Sequence, residues 1–254
     1  MKEENKNGQL PEKEQLLSSL RNAEEMYVFM SLCTKMPYVL CDEETFDDEV
    51  LLYYTEEDAQ REGKKLIEQR IPIQIAKIEK KQLLGFFSSL YPMGVNGLLI
   101  NKNMESEARL QLGELVIRPN TEDLPDGKVW VENPQLHLTA LYFMQEMRRQ
   151  EKPELTEELK GLQEEILVNY GRGRFIVNGM PMLKQKNGDA YQPIFTDILE
   201  FRKFNKEDQF KTMAIEAKNV PKMLVNEAKG VVINPYGVNL QIPIVRPEEP
   251  QEKK

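Results

Sequence analysis

Acid–base or nucleophilic chemistry near neutral pH calls for a group that titrates there, and histidine is the side chain that does so unperturbed. His137 is the only one in these 254 residues. It stands between Leu136 and Leu138 in a stretch with helical spacing, which favours helix packing over service as the base of a triad. Carboxylates are more plentiful. Asp42-Glu43-Glu44 and Asp47-Asp48-Glu49 place six acids in eight positions. A calcium loop wants alternate oxygens and a glycine at its sharp turn, and this run has neither. Two readings remain for these six candidate interaction residues: a solvated loop joining strands, or a docking patch for a basic partner. Gly171-Arg172-Gly173-Arg174 would suit an anion but lacks both the Walker and the dinucleotide spacing. It reads as a helix end, with Gly171 as C-cap and a strand starting at Phe175.

One histidine and two cysteines cannot build two Cys/His zinc sites, an iron–sulfur cluster or a disulfide framework. No catalytic residue, metal or cofactor is expected. Cys33 and Cys41 have no metal or redox spacing and read as reduced thiols. The twelve methionines read mostly as core filler. With 34 Lys and Arg against 42 Asp and Glu, the net charge is −8. Nucleic acid and anionic membranes both need a cationic surplus, so neither is an expected partner. Another protein is the expected partner, with a small-molecule ligand left open. The first twenty residues are studded with charge and hold no signal-peptide core, so a cytoplasmic location is expected. The uncharged run from Gln82 to Asn101 has the length of a membrane span. Its polar residues, Pro92 and three glycines argue instead for a helix end, a YPMG turn and a buried GLLI strand.

The elements that must position these residues come in two copies. Gly97-Leu98-Leu99-Ile100-Asn101 recurs as Gly230-Val231-Val232-Ile233-Asn234. Val116-Ile117-Arg118-Pro119 is echoed by Ile244-Val245-Arg246-Pro247, and Val50–Glu56 parallels Tyr191–Asp197, an apolar run ending in aromatic, threonine and acid. The offsets are 141, 133 and 128 residues, in chain order, which makes the second copy shorter at loops. Each copy reads as helix, two strands, a helix N-capped by Thr55 or Thr196, another strand, a short helix, the G-x-x-I-N strand and a closing strand. The expected class is α+β: two tandem repeats of a small mixed domain joined by a connecting helix. The expected bounds are a disordered tail 1–12, copy 1 at 13–119, a connecting segment 120–153, copy 2 at 154–247 and a tail 248–254. In the connector, Asn133-Pro134 reads as N-cap and first helical residue, with Leu136, Ala140, Phe143 and Met147 as the apolar face. Trp130, between two valines, is expected to pack at the junction of the copies.

Ile194-Phe195-Thr196-Asp197 opening a helix, followed by Gly230-Val231-Val232-Ile233-Asn234-Pro235 and a short hairpin, resembles the SseB N-terminal domain family. The first copy is looser, with Tyr54 where Phe is usual and Lys102 in place of the Pro. The resemblance spans about residues 20–119 and 158–247. It implies a small α/β domain in bacterial cytoplasmic proteins and brings no catalytic residue, cofactor or substrate. The translocon role that shares the name is not implied, because the long coiled-coil helices it needs are absent. A non-enzymatic binding or scaffold protein is therefore the leading expectation. Its rivals are a carboxylate-dependent enzyme with a site between the copies and an immunity-type protein that neutralises a basic toxin. Reduced thiols have a direct consequence. The denatured protein is expected to take up two alkylating groups without reductant; mass spectrometry finding none would mean a bridge and a different compartment.

Overall fold

The computed structural model describes residues 12–118, 124–177, 182–185 and 187–245. The expected tails, apart from Glu12, lie outside these, as do Pro119, Lys186 and Arg246-Pro247. The chain divides into two compact units, Met1–Asp123 and Leu124–Lys254. The first contains α1 (Glu12–Asn22), β1 (Glu25–Ser31), β2 (Val39–Cys41), β3 (Asp48–Tyr53), α2 (Glu56–Glu68), β4 (Ile73–Glu79), α3 (Lys80–Met93), β5 (Gly97–Ile100), β6 (Ala108–Gln111) and α4 (Leu112–Leu115). Glu12, expected in a tail, opens α1, where its charge and that of Glu14 favour a helix start. The strands form one sheet in the order β4-β1-β3-β5-β6, with β2 also on β3. Every pair is antiparallel except β3 with β5. A parallel pair needs a crossover, and α2, β4 and α3 provide it.

The second unit contains α5 (Pro134–Arg149), α6 (Glu157–Arg172), β7 (Arg174–Val177), β8 (Leu183–Lys184), β9 (Ala190–Ile194), α7 (Ile198–Phe204), β10 (Met213–Glu216), a 3-10 turn at Ala217–Asn219, α8 (Val220–Met223), β11 (Ala228–Ile233) and β12 (Leu240–Pro243). Here β12-β11-β9-β8 form one sheet and β10-β7 another, and a bridge from Ile176 to Phe195 joins them. Again only the pair equivalent to β3 and β5, namely β9 with β11, is parallel. The fold is α+β, and both units share one strand order. The shortening of the second copy falls on helices, not only on loops. The 14-residue α3 is matched by a 3-residue turn and the 4-residue α8, and the 13-residue α2 by the 7-residue α7. The uncharged run is α3 and β5, with Pro92 inside the helix and Gly94, at φ 88°, capping it. Among the described residues no helix is long and apolar enough to cross a membrane.

Both cores grow from the central strands. Phe29 of β1 and Tyr53 of β3 meet at 5.2 Å between ring centroids, over Ala59 and Ile73. In the second unit Phe195 and Phe201 meet edge-on at 5.4 Å, with Ile176 and Val131 around them. Burial of such side chains contributes about 25 cal/mol per Å². The helix expected to connect the copies, α5, belongs to the second unit and packs on α6. Its first half is enclosed from Leu136 to Leu141 with no exposed face, while Phe143 and Met147 are only half-buried.

The repeated asparagine explains the repeated motif. Asn101 and Asn234 end β5 and β11 at φ 50° and 47°, left-handed values that asparagine adopts more readily than other non-glycine residues. Asn234 N–H donates to Ile194 O at 3.0 Å, and its Oδ1 accepts Thr196 N–H at 3.0 Å. Its Nδ2 also donates to Thr196 Oγ1 at 2.8 Å. Asn101 does the same for the first unit, donating to Leu52 O at 2.8 Å and accepting Tyr54 N–H at 3.3 Å. One side chain thus ties the ends of the two parallel strands together and terminates both.

These bonds correct the repeat alignment by one residue: Tyr54 matches Thr196, and Thr55 matches Asp197. The capping follows suit. Thr55 accepts Asp58 N–H at the start of α2, whereas at α7 the cap is Asp197, accepting from Leu199 and Glu200 N–H. Thr196, expected as that cap, is buried behind it. Asn234→Ala leaves the fully buried Thr196 N–H without its acceptor, removes the amide that donates to the Thr196 hydroxyl and puts alanine at positive φ. A loss of about 3 kcal/mol is expected in urea unfolding. Asn101→Ala, with the longer bond, is expected to lose about half as much. Equal and negligible losses would mean that the bridges are incidental.

Candidate functional site

The acidic run forms the hairpin between β2 and β3, and its carboxylates divide into two groups. Asp42 turns inward. Its Oδ1 accepts the N–H groups of Glu44 at 3.0 Å and Thr45 at 2.8 Å, and its Oδ2 meets Arg109 Nη2 at 3.1 Å. Those backbone donors, with the guanidinium, hold the Asp42 carboxyl below the usual carboxylate range. Asp47 accepts two amides, Asn96 Nδ2 on Oδ1 and Gln111 Nε2 on Oδ2, each at 2.7 Å. Glu49 is 1% exposed: Arg109 Nε lies 3.3 Å from its Oε1, and Oε2 is buried without a partner. Burial pushes the Glu49 carboxyl up, with Arg109 opposing. Asp48 is half-buried, and only Glu43 and Glu44 stand fully exposed. The run is therefore neither a wholly solvated loop nor a uniform patch.

Two features here had no signal in the run itself. Phe46, at the tip, is 77% exposed and sits at φ 59°. A bulky side chain with that backbone angle is an outlier, and the turn holds it there: Phe46 N–H donates to Asp42 O at 2.9 Å and Asp42 N–H to Asp47 O at 2.8 Å. Behind the hairpin, Asp47 and Glu49 share a cleft of about 460 Å³ with Leu16 of α1, Ala108, Arg109 and Gln111 of β6. Glycine makes room for this arrangement. A Cβ on Gly97, opposite Glu49 in the ladder, would lie 2.8 Å from Glu49 Cγ.

The second unit answers differently at the same places. Leu40 pairs with Glu49 and Leu183 with Tyr191, so Tyr191 occupies the Glu49 position. Asp189 stands where Asp47 does, and Lys229, just before Gly230, where Asn96 does. There Lys229 Nζ meets Asp189 at 2.5 Å and lowers its pKa. That difference stands in the sequence one residue before the aligned G-x-x-I-N motifs, as Asn96 against Lys229.

His137 does not have a catalytic arrangement. Its Nδ1 lies 3.3 Å from Thr196 Oγ1 and 3.5 Å from Asp197 Oδ2, and Thr196 donates to Asp197 at 2.7 Å. A triad needs the imidazole between acid and nucleophile through its two nitrogens. Here both contacts fall on Nδ1, and Nε2 is buried without a partner. Although in helix α5, His137 belongs to the motif that closes the second unit. Asn133 serves the same joint: its Nδ2 donates to Arg174 O and Thr196 O, and its Oδ1 accepts Arg174 N–H. It occupies the expected N-cap place without capping by its side chain.

Gly173, rather than Gly171, ends α6, in an extended conformation; a Cβ there would lie 2.7 Å from Phe175 and 2.8 Å from Asn133. Trp130, expected at a junction, is half-buried within the second unit, lining a groove of about 430 Å³ with Arg172, Arg174 and Lys218. Glu216 already meets two of those cations, Lys218 at 2.6 Å and Arg174 at 3.7 Å. Neither Cys33 nor Cys41 is in a disulfide. Among the described residues no three His, Cys, Asp or Glu side chains gather as a metal site would need.

No family model matches the chain. No curated protein matches it either. Among solved structures it is similar to Tic22 from Plasmodium falciparum, at 14% identity and a TM-score of 0.23 over 86% of this chain and 90% of that one. Anabaena Tic22 (protein transport) follows at 9% identity and 0.22, over 87% and 93%.

Two buried carboxyls have opposite pH consequences. For Asp197, burial alone would raise the pKa, but His137, the Glu200 N–H and Thr196 together hold it low. Its stabilisation of the second unit is present above the ordinary value of about 3.9 and is lost as pH falls below it. Glu49 is raised, so the stability carried by its neutral form is complete below about 4.3 and is lost as pH rises through the folded pKa. Carbon-13 NMR of the side-chain carboxyls should find Glu49 titrating above and Asp197 below those values. The reverse order would refute this account of the two environments.

Proposed function

We propose that the chain is a non-enzymatic binding or scaffold protein of the SseB type, acting in the bacterial cytoplasm, whose first unit docks a basic protein partner through the hairpin 42–49. The observation that carries the reading is Phe46, an aromatic ring held out into solvent at a strained backbone angle in an acidic turn, between Thr45 and Asp47. A fold gains nothing from that ring: it buries little and costs backbone strain. A partner with an apolar pocket ringed by Lys and Arg would gain from both the ring and the charges of Glu43 and Glu44. The inward carboxylates serve rigidity, since Asp42 and Asp47 fix the loop before any partner arrives, and preorganised loops lose less entropy on binding. The two strand-end asparagines and the helix opening at Asp197 support the SseB-type reading, because these are the residues on which the resemblance rests. The His137 geometry supports a non-enzymatic role.

A photoreactive phenylalanine at position 46 of the full chain, cross-linked in native cells, identifies the partner. With that partner purified, Phe46→Ser is expected to weaken binding roughly tenfold or more. Glu43→Lys with Glu44→Lys is expected to slow association and flatten its salt dependence, leaving dissociation nearly unchanged. Unaltered affinity in both variants would return the hairpin to an ordinary solvated loop.

A further inference from the structure

We infer that the cleft behind the hairpin binds a protonated primary amine on an unbranched alkyl chain, at the place where the second unit seats its own Lys229. The inference rests on reading the hairpin region as a binding element, and it names the chemistry of the cleft rather than of the tip.

The first support is an imbalance of charge. Glu12, Asp47, Glu49 and Glu114 line the cleft against Lys13 and Arg109. Lys13 is occupied by Glu114, and Arg109 is shared among Asp42, Glu49 and Glu107. Asp47 has only neutral amides on its two oxygens. Glu49 keeps Oε2 unpartnered in a buried wall of the cleft. A buried carboxylate oxygen without a partner is costly unless something fills its place.

The second support is the internal comparison. On the same scaffold the second unit sets an alkylammonium, Lys229, against the aspartate equivalent to Asp47, and replaces Glu49 with Tyr191. It thereby neutralises within the chain the aspartate that the first unit leaves to neutral amides. Asn96 stands where that lysine would be.

The shape of the acceptor selects an ammonium over a guanidinium. Arg109 already occupies Glu49 Oε1, so one oxygen remains, which suits a point charge and not a two-pronged fork. Leu16, Ala108 and Leu110 line the cleft and can cover a methylene stem, as apolar surfaces do for lysine. A volume of about 460 Å³ lies within the range of ligand clefts, about 300–1,000 Å³.

The test titrates the full-length protein with n-pentylamine near neutral pH, followed by NMR. Saturable shifts are expected at Ala108, Gln111 and Glu49. N-acetylpentylamine, which has the stem and no charge, is expected to bind at least tenfold more weakly. Asn96→Lys supplies the ammonium from within and is expected to abolish the shifts while the spectrum stays folded. Glu49→Gln is expected to weaken binding about tenfold, and Asp47→Asn serves as the second carboxylate variant if Glu49→Gln misfolds. Two further ligands separate the sources of the amine: equal binding by a capped lysine dipeptide points to a partner's side chain, and binding only by 1,5-diaminopentane points to a free diamine. No saturable shift with any amine, an equal response to n-butylguanidine, or undiminished binding in Asn96→Lys would overturn the inference. None of these outcomes touches Phe46, and loss of partner docking in Phe46→Ser would leave the amine titration unaltered, so the two claims fail separately.

Discussion

The architecture of each unit depends on one side-chain amide. Two parallel strands at the centre of a small sheet diverge at their carboxyl ends, one turning into a helix and the other into a tight turn. Their last backbone groups therefore lose the ladder at the same level. Asn101 and Asn234 supply the missing partners, and their positive φ lets the chain reverse while the amide reaches across. Glycine would allow the backbone angle but offer no amide. Aspartate would offer an acceptor but no donor for Thr196 Oγ1. The two demands together explain why asparagine stands in both places.

In the second unit this joint grew into a network. Asn234 holds Thr196, Thr196 donates to Asp197, Asp197 caps α7, and His137 closes the set from α5. Asn133, one turn before His137, binds the start of β7 to the same corner. The first unit manages with less: Ser106 accepts from Asn101, and Thr55 caps α2. Buried networks of this kind are stabilising only when nearly every member is satisfied, and His137 Nε2 is the member that is not.

Much of this was legible in the residues. The repeat, the α+β class, the cap at Thr55 and the strand around Gly97 follow from short patterns, because patterns of that kind record local backbone demands. The alignment at Thr196 slipped by one residue because Thr-Asp and Thr-Glu look alike in sequence, while only the asparagine bond distinguishes which of them faces inward. The residues around His137 place it in a connecting helix outside both copies and do not name its partners, since Thr196 and Asp197 lie about sixty positions away. The acidic run was visible as charge. Its division into inward and outward carboxylates was not, because it depends on Arg109, Asn96 and Gln111 arriving from other strands. Phe46 gave no signal at all: a lone aromatic in an acidic turn reads equally well as buried.

The contrast between the units bears on where function lies. A carboxylate buried as deeply as Glu49 costs several kcal/mol against an apolar residue of similar size. The scaffold has no need of it, since the second unit places Tyr191 there, and pairs Asp189 with Lys229 where the first unit has Asn96 against Asp47. Two sheets with the same strand order thus differ at positions where the packing problem is the same. Stability alone would favour the second unit's solution in both. The first unit instead keeps a buried acid and, three residues before it, a strained aromatic. Each is unfavourable for the fold taken by itself, and both converge on one end of β3. Features that burden a fold together in one place, and that its own repeat does without, are better explained by something the surface must bind.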